Sequence, residues 1–484
     1  FDKWESVRIA KLKYDNLITK EIFIPEDHLI AFSGQHFKQG VVHDDEWNYH
    51  IFLKIIKEFD IETEIVKSNN TFSLKKDYSI SSNHIQINKK KLFKFEGYIK
   101  SFLHKIFYNK NNIVMINSGL PRKMQIITQF FLFQLNINIF NYTDYHVGNS
   151  PDLHLRNTLS KKINKSSNKF ESFIFRNIFY LLPTIYLEDF YRLADFEKNS
   201  YLPTSPKSIL TSTAHLISDE FKFWCAKKII KGSKLFILQH GASYGTAKMF
   251  SYERHEIKIS SKFLTWGWVK NSKTIPFCNI KNIDKKIINN NKGYCLLITF
   301  NASKYYVCPD SAISSSDWLK YHSSSCEFYN NLPKKIKSLF YVRLSPNANP
   351  WNAQKERWQE VDAKIKFASA NKIETHYSDS RLNIIDHDGT PFLELINLNL
   401  PVILIQKFEP LDDYAIKYYN LLKSVNIFHT SYEAASEHIV NVWDNINEWW
   451  FSKPTQEAVE EFNYFYSRNT KNPVKELIKI LNHQ

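Results

Sequence analysis

The chain has 484 residues, too many for one ordinary domain, so two or three units are expected, each large enough to bury a core. With 43% hydrophobic residues, 23% charged residues and only 11 glycines, the composition excludes a disordered or collagenous chain. A formal charge of +15 would suit a nucleic-acid partner, but lysine rises together with asparagine and isoleucine along the chain, so no nucleic acid is expected.

Cysteines and apolar stretches bear on where the protein works. The five cysteines are scattered and form no C-x-x-C pair, which argues against a disulfide framework and favours a reducing cytoplasm. The apolar stretches at 126–135 and 179–187 are much shorter than the ~18–20 residues that a bilayer crossing needs. We therefore expect a cytoplasmic protein whose basic surface contacts, at most peripherally, the anionic inner face of the cytoplasmic membrane.

The first 110 residues give mixed patterns. Helical periodicity covers residues 46–59, and a strand-like alternation covers residues 71–92. Neither stretch predicts a function.

From residue 112 the pattern becomes regular, with short apolar strands that alternate with helices. Strands are predicted at 113–117, 208–212, 234–239 and 263–268, and helices at 122–135 and 218–230. The order strand, turn, helix is the unit of a parallel, doubly wound sheet.

A run of asparagine and lysine at 279–292 separates this part from a second series of alternating elements. Strands are predicted there at 294–300, 337–344, 382–386 and 401–405, and helices at 355–361, 391–398, 433–449 and 455–481. The predicted division is an N-terminal unit at 1–275, a linker at 276–292, a C-terminal unit at 293–450 and C-terminal helices at 451–484. Since ligands of open parallel sheets bind beyond the carboxyl ends of the strands, the cleft between the two units is the predicted site.

The densest group of polar residues follows the strand predicted at 234–239. His240 lies at the end of this strand, a loop of small residues comes next, and Glu253, His255 and Glu256 follow. Because carboxylates and imidazoles shift each other's pKa, as general acid–base catalysis requires, these four are the candidate catalytic residues. In the alternative reading His240 caps the strand and both glutamates are solvated.

A second group surrounds the start of the helix predicted at 391–398. His387 and Gly389 lie in the turn before it, and the Thr390 hydroxyl with the unpaired amides of a helix start is suited to bind phosphate. Glu394, one turn into the helix, can accept hydrogen bonds from ribose or sugar hydroxyls. The alternative is a capping box of Thr390 and Glu394, although their spacing is one residue too long.

Arg343 ends a predicted strand, where a guanidinium can bind a phosphate or a sugar carboxylate through two hydrogen bonds. Metal binding is not expected, because no third ligand follows His255 and Glu256 at a helical spacing.

These residues also resemble those of a known family. The segment 212–268, the residues from Arg343 to Glu394 and the segment from Asn441 to Trp450 resemble surface-polysaccharide transferases of the spirochaete type, found beside nonulosonic-acid genes. The resemblance spans roughly residues 120–450. The motifs that carry the resemblance are Gln239-His240-Gly241, His255-Glu256, Thr265-Trp266-Gly267-Trp268, Trp351 and Thr390 through Glu394. That family is similar to the GT-B glycosyltransferases that use CMP-activated Kdo, pseudaminic or legionaminic acid in capsule and lipopolysaccharide synthesis.

The resemblance implies a GT-B fold, in which two Rossmann-like doubly wound domains face a cleft. It implies a nucleotide-sugar donor in the C-terminal half, beside Arg343, His387, Gly389, Thr390 and Glu394, and a glycan or lipid-linked glycan acceptor in the N-terminal half. The implied activity is transfer of a CMP-linked ulosonic acid onto a bacterial surface glycan without a bound metal or cofactor. A nucleotide-sugar epimerase of the same architecture and a non-catalytic scaffold for glycan assembly remain the alternatives.

Overall fold

The computed structural model of the chain describes residues 1–66, 113–134, 150–163, 166–199, 202–203, 205–305, 310–345, 350–369 and 372–482. The strand-like stretch predicted at 71–92 lies outside the described residues. None of the described helices combines the length and the apolar character that a bilayer crossing needs.

The described strands form three sheets, and every pairing within them is parallel. A two-stranded sheet contains β1 (Ile18–Ile22) and β2 (Glu62–Val66). A five-stranded sheet contains, in spatial order, β3 (Ile113–Ile116), β4 (Ser208–Thr211), β5 (Lys234–Leu238), β6 (Lys262–Thr265) and β7 (Thr274–Pro276). A six-stranded sheet contains β8 (Tyr294–Ile298), β9 (Phe340–Arg343), β10 (Lys366–Phe367), β11 (Ser380–Ile385), β12 (Val402–Ile405) and β13 (Phe428–His429).

Helices connect the strands and cover the sheets. Those before β8 are α1 (Asp2–Lys13), α2 (Gly34–His43), α3 (Asp45–Glu58), α4 (Arg122–Phe131), α5 (Leu153–Lys161), α6 (Lys169–Leu181), α7 (Phe190–Asn199), α8 (Ala214–Ile217), α9 (Asp219–Ile230) and α10 (Ser251–Ile259). Those after it are α11 (Trp318–Asn331), α12 (Lys334–Lys337), α13 (Gln354–Val361), α14 (Ile373–Asp379), α15 (Thr390–Asn397), α16 (Asp413–Ser424), α17 (Tyr432–Val442), α18 (Ile446–Trp450), α19 (Lys453–Tyr466) and α20 (Pro473–Asn482). Single 3₁₀ turns lie at Glu26–Leu29, Thr184–Tyr186 and Pro350–Asn352.

The central strands of the two large sheets are buried because both faces of each sheet are covered. All four residues of β12 are buried, and only the first residue of β5 is exposed. One apolar cluster contains residues of both halves, including Leu238, Phe392 and Leu477. The two halves therefore share a core.

The six-stranded sheet has the order β10-β9-β8-β11-β12-β13, so the chain moves outward from β8 on one side and then continues on the other side from β11. Such a reversal leaves a crevice beyond the carboxyl ends of β8 and β11, where open parallel sheets bind ligands. Across the described strands of the five-stranded sheet, spatial order follows chain order and shows no reversal.

The segment between β7 and β8 and the C-terminal helices both contact the two halves. Asn282, in the stretch without helix or strand between β7 and β8, donates from Nδ2 to the Glu394 carbonyl oxygen at 2.8 Å. At the C-terminus, α20 packs against α4, and Arg468 Nη1 donates to the Phe277 carbonyl oxygen at 2.8 Å. The predicted fold class, an α/β chain with two parallel-sheet units of the GT-B type facing each other, is confirmed by these sheets.

Candidate functional site

His240 follows β5, in the loop that reaches the second half. Its side chain is 22% exposed, whereas the Glu256 side chain beside it has no exposure. His240 Nε2 lies 2.6 Å from the Tyr244 hydroxyl oxygen and 3.3 Å from Glu256 Oε1. No described residue bonds to the other ring nitrogen, Nδ1. One nitrogen of the imidazole is therefore held by the protein and the other is open to a ligand.

The network around Glu256 assigns the proton of His240. The Tyr244 hydroxyl donates to Glu256 Oε2 at 2.8 Å, so its oxygen accepts from His240 Nε2. Glu256 Oε1 also accepts from His215 Nε2 at 2.8 Å. Both Glu256 oxygens keep a hydrogen-bond donor only when Tyr244 donates to Oε2, and the Tyr244 oxygen then accepts from a hydrogen on His240 Nε2. Neutral His240 then presents an unprotonated Nδ1, which is the form that a general base requires.

The electrostatics of this network keep Glu256 ionised. Burial by itself would raise the pKa of this carboxyl, but hydrogen bonds from His215 and His240 outweigh the burial and hold the pKa below its usual value. Burial, with the charge of Glu256, raises the pKa of the Tyr244 phenol, which therefore remains a hydrogen-bond donor. The result is a buried negative charge behind the imidazole.

Two members of this network, His215 and Tyr244, are absent from the predicted catalytic set. His215 belongs to α8, beyond β4, and 41 positions separate it from Glu256 in the chain. The only signal in the sequence is that both residues follow the carboxyl ends of neighbouring strands.

The other two predicted catalytic residues lie elsewhere. Glu253 is buried, but its Oε2 accepts from the Gly245 amide at 2.6 Å and its Oε1 from Lys270 Nζ at 3.0 Å, so it braces the loop. His255 is exposed, because adjacent positions of a helix point about 100° apart and Glu256 takes the inward one. Of Glu253, His255 and Glu256, the structure thus brings only Glu256 to His240. The alternative in which both glutamates are solvated is wrong, since both are buried.

Gln239 shapes the loop that carries His240. Its Oε1 accepts from the Trp266 amide at 2.8 Å and from Trp268 Nε1 at 2.9 Å, and its Nε2 donates to the Gly241 carbonyl oxygen at 3.0 Å. Gly245 has φ +72°, and a Cβ there would lie 2.6 Å from the Trp268 ring, so only glycine fits. The loop conformation is consequently determined by buried contacts.

The predicted donor-binding turn follows β11. His387 is 8% exposed, and its ring centroid lies 5.4 Å from that of Phe300. A Cβ on Gly389 would lie 2.4 Å from His387 Nε2, so glycine is what allows the imidazole to lie against the turn. Gly389 is the N-cap residue of α15, and no described side chain caps this helix start. Pro391 has no amide hydrogen and the Phe392 amide donates to the Gly389 carbonyl oxygen at 3.0 Å, so the Thr390 amide is the group of this helix start that can bind an anion.

The His240 loop and the start of α15 are in contact. The Thr390 hydroxyl oxygen accepts from the Ala242 amide at 3.0 Å. A Cβ on Gly241 would lie 3.1 Å from the same oxygen, which shows how closely the two backbones approach. The two groups of residues predicted from the sequence thus lie at one place, where the carboxyl ends of the two sheets face each other.

A pair of buried carboxyls lies beside this contact. The Asp388 amide donates to Glu409 Oε2 at 2.8 Å. Burial, and then the charge of Asp388, raise the pKa of Glu409 well above its usual value. Burial also raises the pKa of Asp388, against hydrogen bonds from Ser243 and Thr246. The pair holds a proton more strongly than free carboxyls do, which reduces the negative charge beside an anion-binding position.

Arg343 lies at the same edge of the second sheet. It is in register with Ile298, which is in register with Ile385, so its backbone is two strand spacings, about 10 Å, from the end of β11. Its Nη1 donates to the Ser369 carbonyl oxygen at 2.8 Å, and burial lowers its pKa.

Glu394 is 8% exposed, and its Oε2 accepts from the Tyr377 hydroxyl at 3.2 Å. Burial raises the pKa of this carboxyl. The capping-box alternative is wrong, because Gly389 rather than Thr390 is the N-cap residue. The carboxyl retains lone pairs for further hydroxyl donors.

The N-terminal region, for which the sequence predicted no function, reaches both halves at this site. On the first half, Lys38 Nζ donates to the Tyr252 hydroxyl at 2.9 Å, and the Tyr252 ring centroid lies 6.5 Å from that of His240. On the second half, Asp45 Oδ1 accepts from Lys304 Nζ at 2.7 Å. Within the described part of the chain, no three or more His, Cys, Asp or Glu residues are arranged to hold a metal ion, and the absence of a bound metal stays a prediction.

The two facing parallel sheets and the imidazole-bearing loop at their contact define a two-domain α/β enzyme. A family model described as the LIC12162 family transferase matches residues 1–481. The chain therefore belongs to the LIC12162 family of transferases, which confirms the predicted enzyme class. Among curated proteins, none matches the chain.

Several solved structures are similar to this chain at low identity. The pneumococcal O-GlcNAc transferase GtfA, in complex with UDP and GlcNAc, is 13% identical over 61% of this chain and 60% of its own, less than two thirds of its length, with a TM-score of 0.35. Acinetobacter baumannii MurG is 8% identical over 77% of this chain and 100% of its own, with a TM-score of 0.39. A Listeria monocytogenes protein assigned as a UDP-N-acetylglucosamine 2-epimerase is 8% identical over 97% of each chain, with a TM-score of 0.36. At these values the likenesses say nothing about substrate or activity.

Proposed function

We propose that the chain is a glycosyltransferase that moves a CMP-activated ulosonic acid, of the pseudaminic, legionaminic or Kdo type, onto a bacterial surface glycan. Membership of a transferase family supports the reaction class. The resemblance of the His240 and Glu394 segments to surface-polysaccharide transferases supports the sugar and the acceptor. The reaction proceeds in the cytoplasm, at the inner face of the membrane, without a bound metal or cofactor.

The observation that carries this proposal is the hydrogen bond between the Ala242 amide and the Thr390 hydroxyl. It brings a partly exposed imidazole from one half to an uncapped helix start from the other. A nucleophile-activating base and a phosphate-binding position must lie this close for transfer of an activated sugar, because the bond that forms and the bond that breaks share one carbon.

The chemistry follows from the proton on His240. Nδ1 takes the proton of the acceptor hydroxyl, whose oxygen forms the new bond to the anomeric carbon of the donor. The bond from that carbon to the phosphate oxygen breaks, and the phosphate leaves as CMP toward the Thr390 amide at the start of α15. Glu256 stabilises the imidazolium that results, since its buried charge lies against Nε2.

Donor binding uses the residues at the second sheet. The CMP phosphate lies at Gly389 and Thr390, where His387 and Arg343 neutralise its negative charge. The ribose hydroxyls donate to Glu394, beside Tyr377. The ulosonic carboxylate adds a second negative charge, for which a bidentate guanidinium is the suitable partner.

A thermal-shift panel of CMP, UDP and GDP with their activated sugars tests the donor. A ligand that binds only the folded chain raises the melting temperature, and about 100-fold excess over Kd stabilises by ~2.7 kcal/mol. We expect CMP and a CMP-linked ulosonic acid to give the largest shift. A shift with UDP compounds alone contradicts the proposed nucleotide.

Turnover then separates transfer from the two alternatives. A transferase consumes the donor only when an acceptor glycan is present, and with EDTA as well as without it. An epimerase converts the donor with no acceptor, and a scaffold binds glycan but never consumes donor. An absolute requirement for Mn²⁺ or Mg²⁺ contradicts the metal-independent mechanism.

A further inference from the structure

Helix α4 has an inverted polarity. Its inward side chains include Thr128 and Gln129, which are 0% and 4% exposed, whereas Phe130 on its outer face is 73% exposed. Gln129 Nε2 donates to the Ile113 carbonyl oxygen at 3.3 Å, so the buried polar groups are held by the edge of the sheet. The apolar face of an ordinary surface helix points inward. Here Met124 is buried, but Ile126, Phe130 and Phe131 are exposed.

The end of this helix adds a further exposed ring. Phe133 is 96% exposed and has φ +53°, a left-handed conformation that bulky residues rarely adopt. The Gln134 amide donates to the Gln129 carbonyl oxygen at 2.9 Å, so this backbone conformation is part of the helix end. Glycine or asparagine usually occupies such a position. The chain instead projects a phenylalanine away from the protein.

The neighbouring helix supplies positive charge. Helix α20 packs against α4, and its Lys475 and Lys479, one turn apart, are both exposed. Lys123, in the first turn of α4, is exposed as well. Helix α4 contains no acidic residue, and Glu476, the acidic residue of α20, is paired with Arg468. We call the exposed residues Lys123, Ile126, Phe130, Phe131, Phe133, Lys475 and Lys479, which lie on these two packed helices and the turn that ends α4, the Phe–Lys face.

We propose that the Phe–Lys face binds the surface of an anionic lipid bilayer. Exposed phenylalanines insert at the boundary between headgroups and acyl chains, and lysines beside them are attracted to anionic headgroups. A second copy of this chain is a poorer occupant, because a twofold contact of the face with itself would bring lysine against lysine. The inference deepens the proposed function, because it places the enzyme where a lipid-linked acceptor lies.

Sedimentation of the full chain with lipid vesicles tests the proposal. The vesicles contain phosphatidylcholine alone or phosphatidylcholine with phosphatidylglycerol, and neither donor nor acceptor is present. We expect binding to the anionic vesicles that weakens as salt is raised. The double variant Phe130→Ser/Phe133→Ser should weaken binding about tenfold or more, and the double variant Lys475→Gln/Lys479→Gln about twenty-fivefold, at roughly fivefold per lysine.

Matched controls lie on the other half of the molecule. Phe451→Ser removes a ring that is 53% exposed, and Lys334→Gln with Lys335→Gln removes two exposed lysines. These variants should bind as the unaltered chain does. Circular dichroism of all variants excludes unfolding as the cause of lost binding.

Three outcomes overturn the proposal. One is the absence of binding to anionic vesicles, and another is equal loss in the control variants. The third is a dimer, detected by light scattering, that dissociates in the double variant Phe130→Ser/Phe133→Ser. That result would make the face an interface between two copies of the chain. The assay is independent of catalysis, so an inactive chain that still binds vesicles contradicts the proposed function and leaves this inference standing.

Discussion

At the scale of single residues, the contacts of His240 determine what it can do. Its Nε2 is held by Tyr244 and Glu256, and its side chain keeps 22% exposure. Burial of Glu256 makes this arrangement directional, because the negative charge lies on one side of the ring only. A base that faces a substrate needs such asymmetry.

The substitution His240→Ala should lower turnover by about 10²–10⁴-fold, which is the usual contribution of general base catalysis. The fold should survive, because Glu256 keeps hydrogen bonds from His215 and Tyr244. Initial rates with saturating donor and acceptor, together with a thermal melt, measure both effects. His255→Ala is the matched control, since His255 is exposed on the same half and should leave the rate unchanged. Equal rates for the two variants would remove His240 from the mechanism.

The raised pKa of Glu409 predicts a pH dependence of stability. Above its unfolded pKa of about 4.3 the folded chain binds more protons here than the unfolded chain does, so the stability contributed by Glu409 is complete below that pH and declines as pH rises through the folded pKa. Glu409→Gln removes this decline, and the glutamine oxygen can still accept from the Asp388 amide. Urea melts should show the variant gaining stability relative to the unaltered chain as pH rises above about 4.3, at up to ~1.4 kcal/mol per pH unit. Parallel curves across the pH range would contradict the raised pKa.

At the scale of elements, the turn between β11 and α15 depends on the absence of a side chain at Gly389. Gly389 has φ −121°, so its backbone is unstrained, and the constraint there is the close approach of His387. The helix that follows has no side-chain cap, which leaves the Thr390 amide for a ligand.

Gly389→Ala should weaken nucleotide binding about tenfold or more, because the new methyl occupies the position of the His387 imidazole and displaces it from the turn. Calorimetric titration with the nucleotide that stabilises the chain most measures this loss. Gly241→Ala is the comparison: its Cβ would lie 3.1 Å from the Thr390 hydroxyl oxygen, so a shift of a few tenths of an ångström relieves it. A larger loss in Gly241→Ala than in Gly389→Ala would contradict the proposed phosphate position.

The limits of individual elements were less predictable than their existence. The strand predicted at 263–268 ends at Thr265, because Gly267 has φ +134° and turns the chain away. Helix α15 was predicted to within one residue at each end, since Pro391 in its first turn is a strong local signal.

At the scale of the whole molecule, the C-terminal helices pack against the first half as well as against the second. The Tyr464 and Phe465 carbonyl oxygens of α19 would lie 2.5 Å and 2.8 Å from a Cβ on Gly267. The Arg468 amide donates to the Trp266 carbonyl oxygen at 2.8 Å. The end of the chain therefore packs on the segment that also holds Gln239.

Gly267→Ala should destabilise the chain strongly, because a methyl there collides with the backbone of α19. Gly232→Ala is the matched control: Gly232 also has positive φ, +100°, but its Cβ would meet nothing within 4 Å. We expect ~1–2 kcal/mol for the control, from backbone strain alone, and about 2 kcal/mol more for Gly267→Ala. Urea denaturation compares the two, and equal losses would show that α19 does not require this close approach.

The sequence by itself determined the alternation of strands and helices, the parallel α/β class and the candidate positions His240 and Thr390, because periodicity, glycine and proline act on neighbouring residues. Only the tertiary structure decided which candidates meet. The contact of Ala242 with Thr390 joins positions 148 residues apart, and the bond from His215 to Glu256 spans 41. No local pattern encodes such pairs, since they depend on how whole sheets pack. The same packing buried Glu253 and Glu256, exposed His255, and turned the phenylalanines of α4 outward.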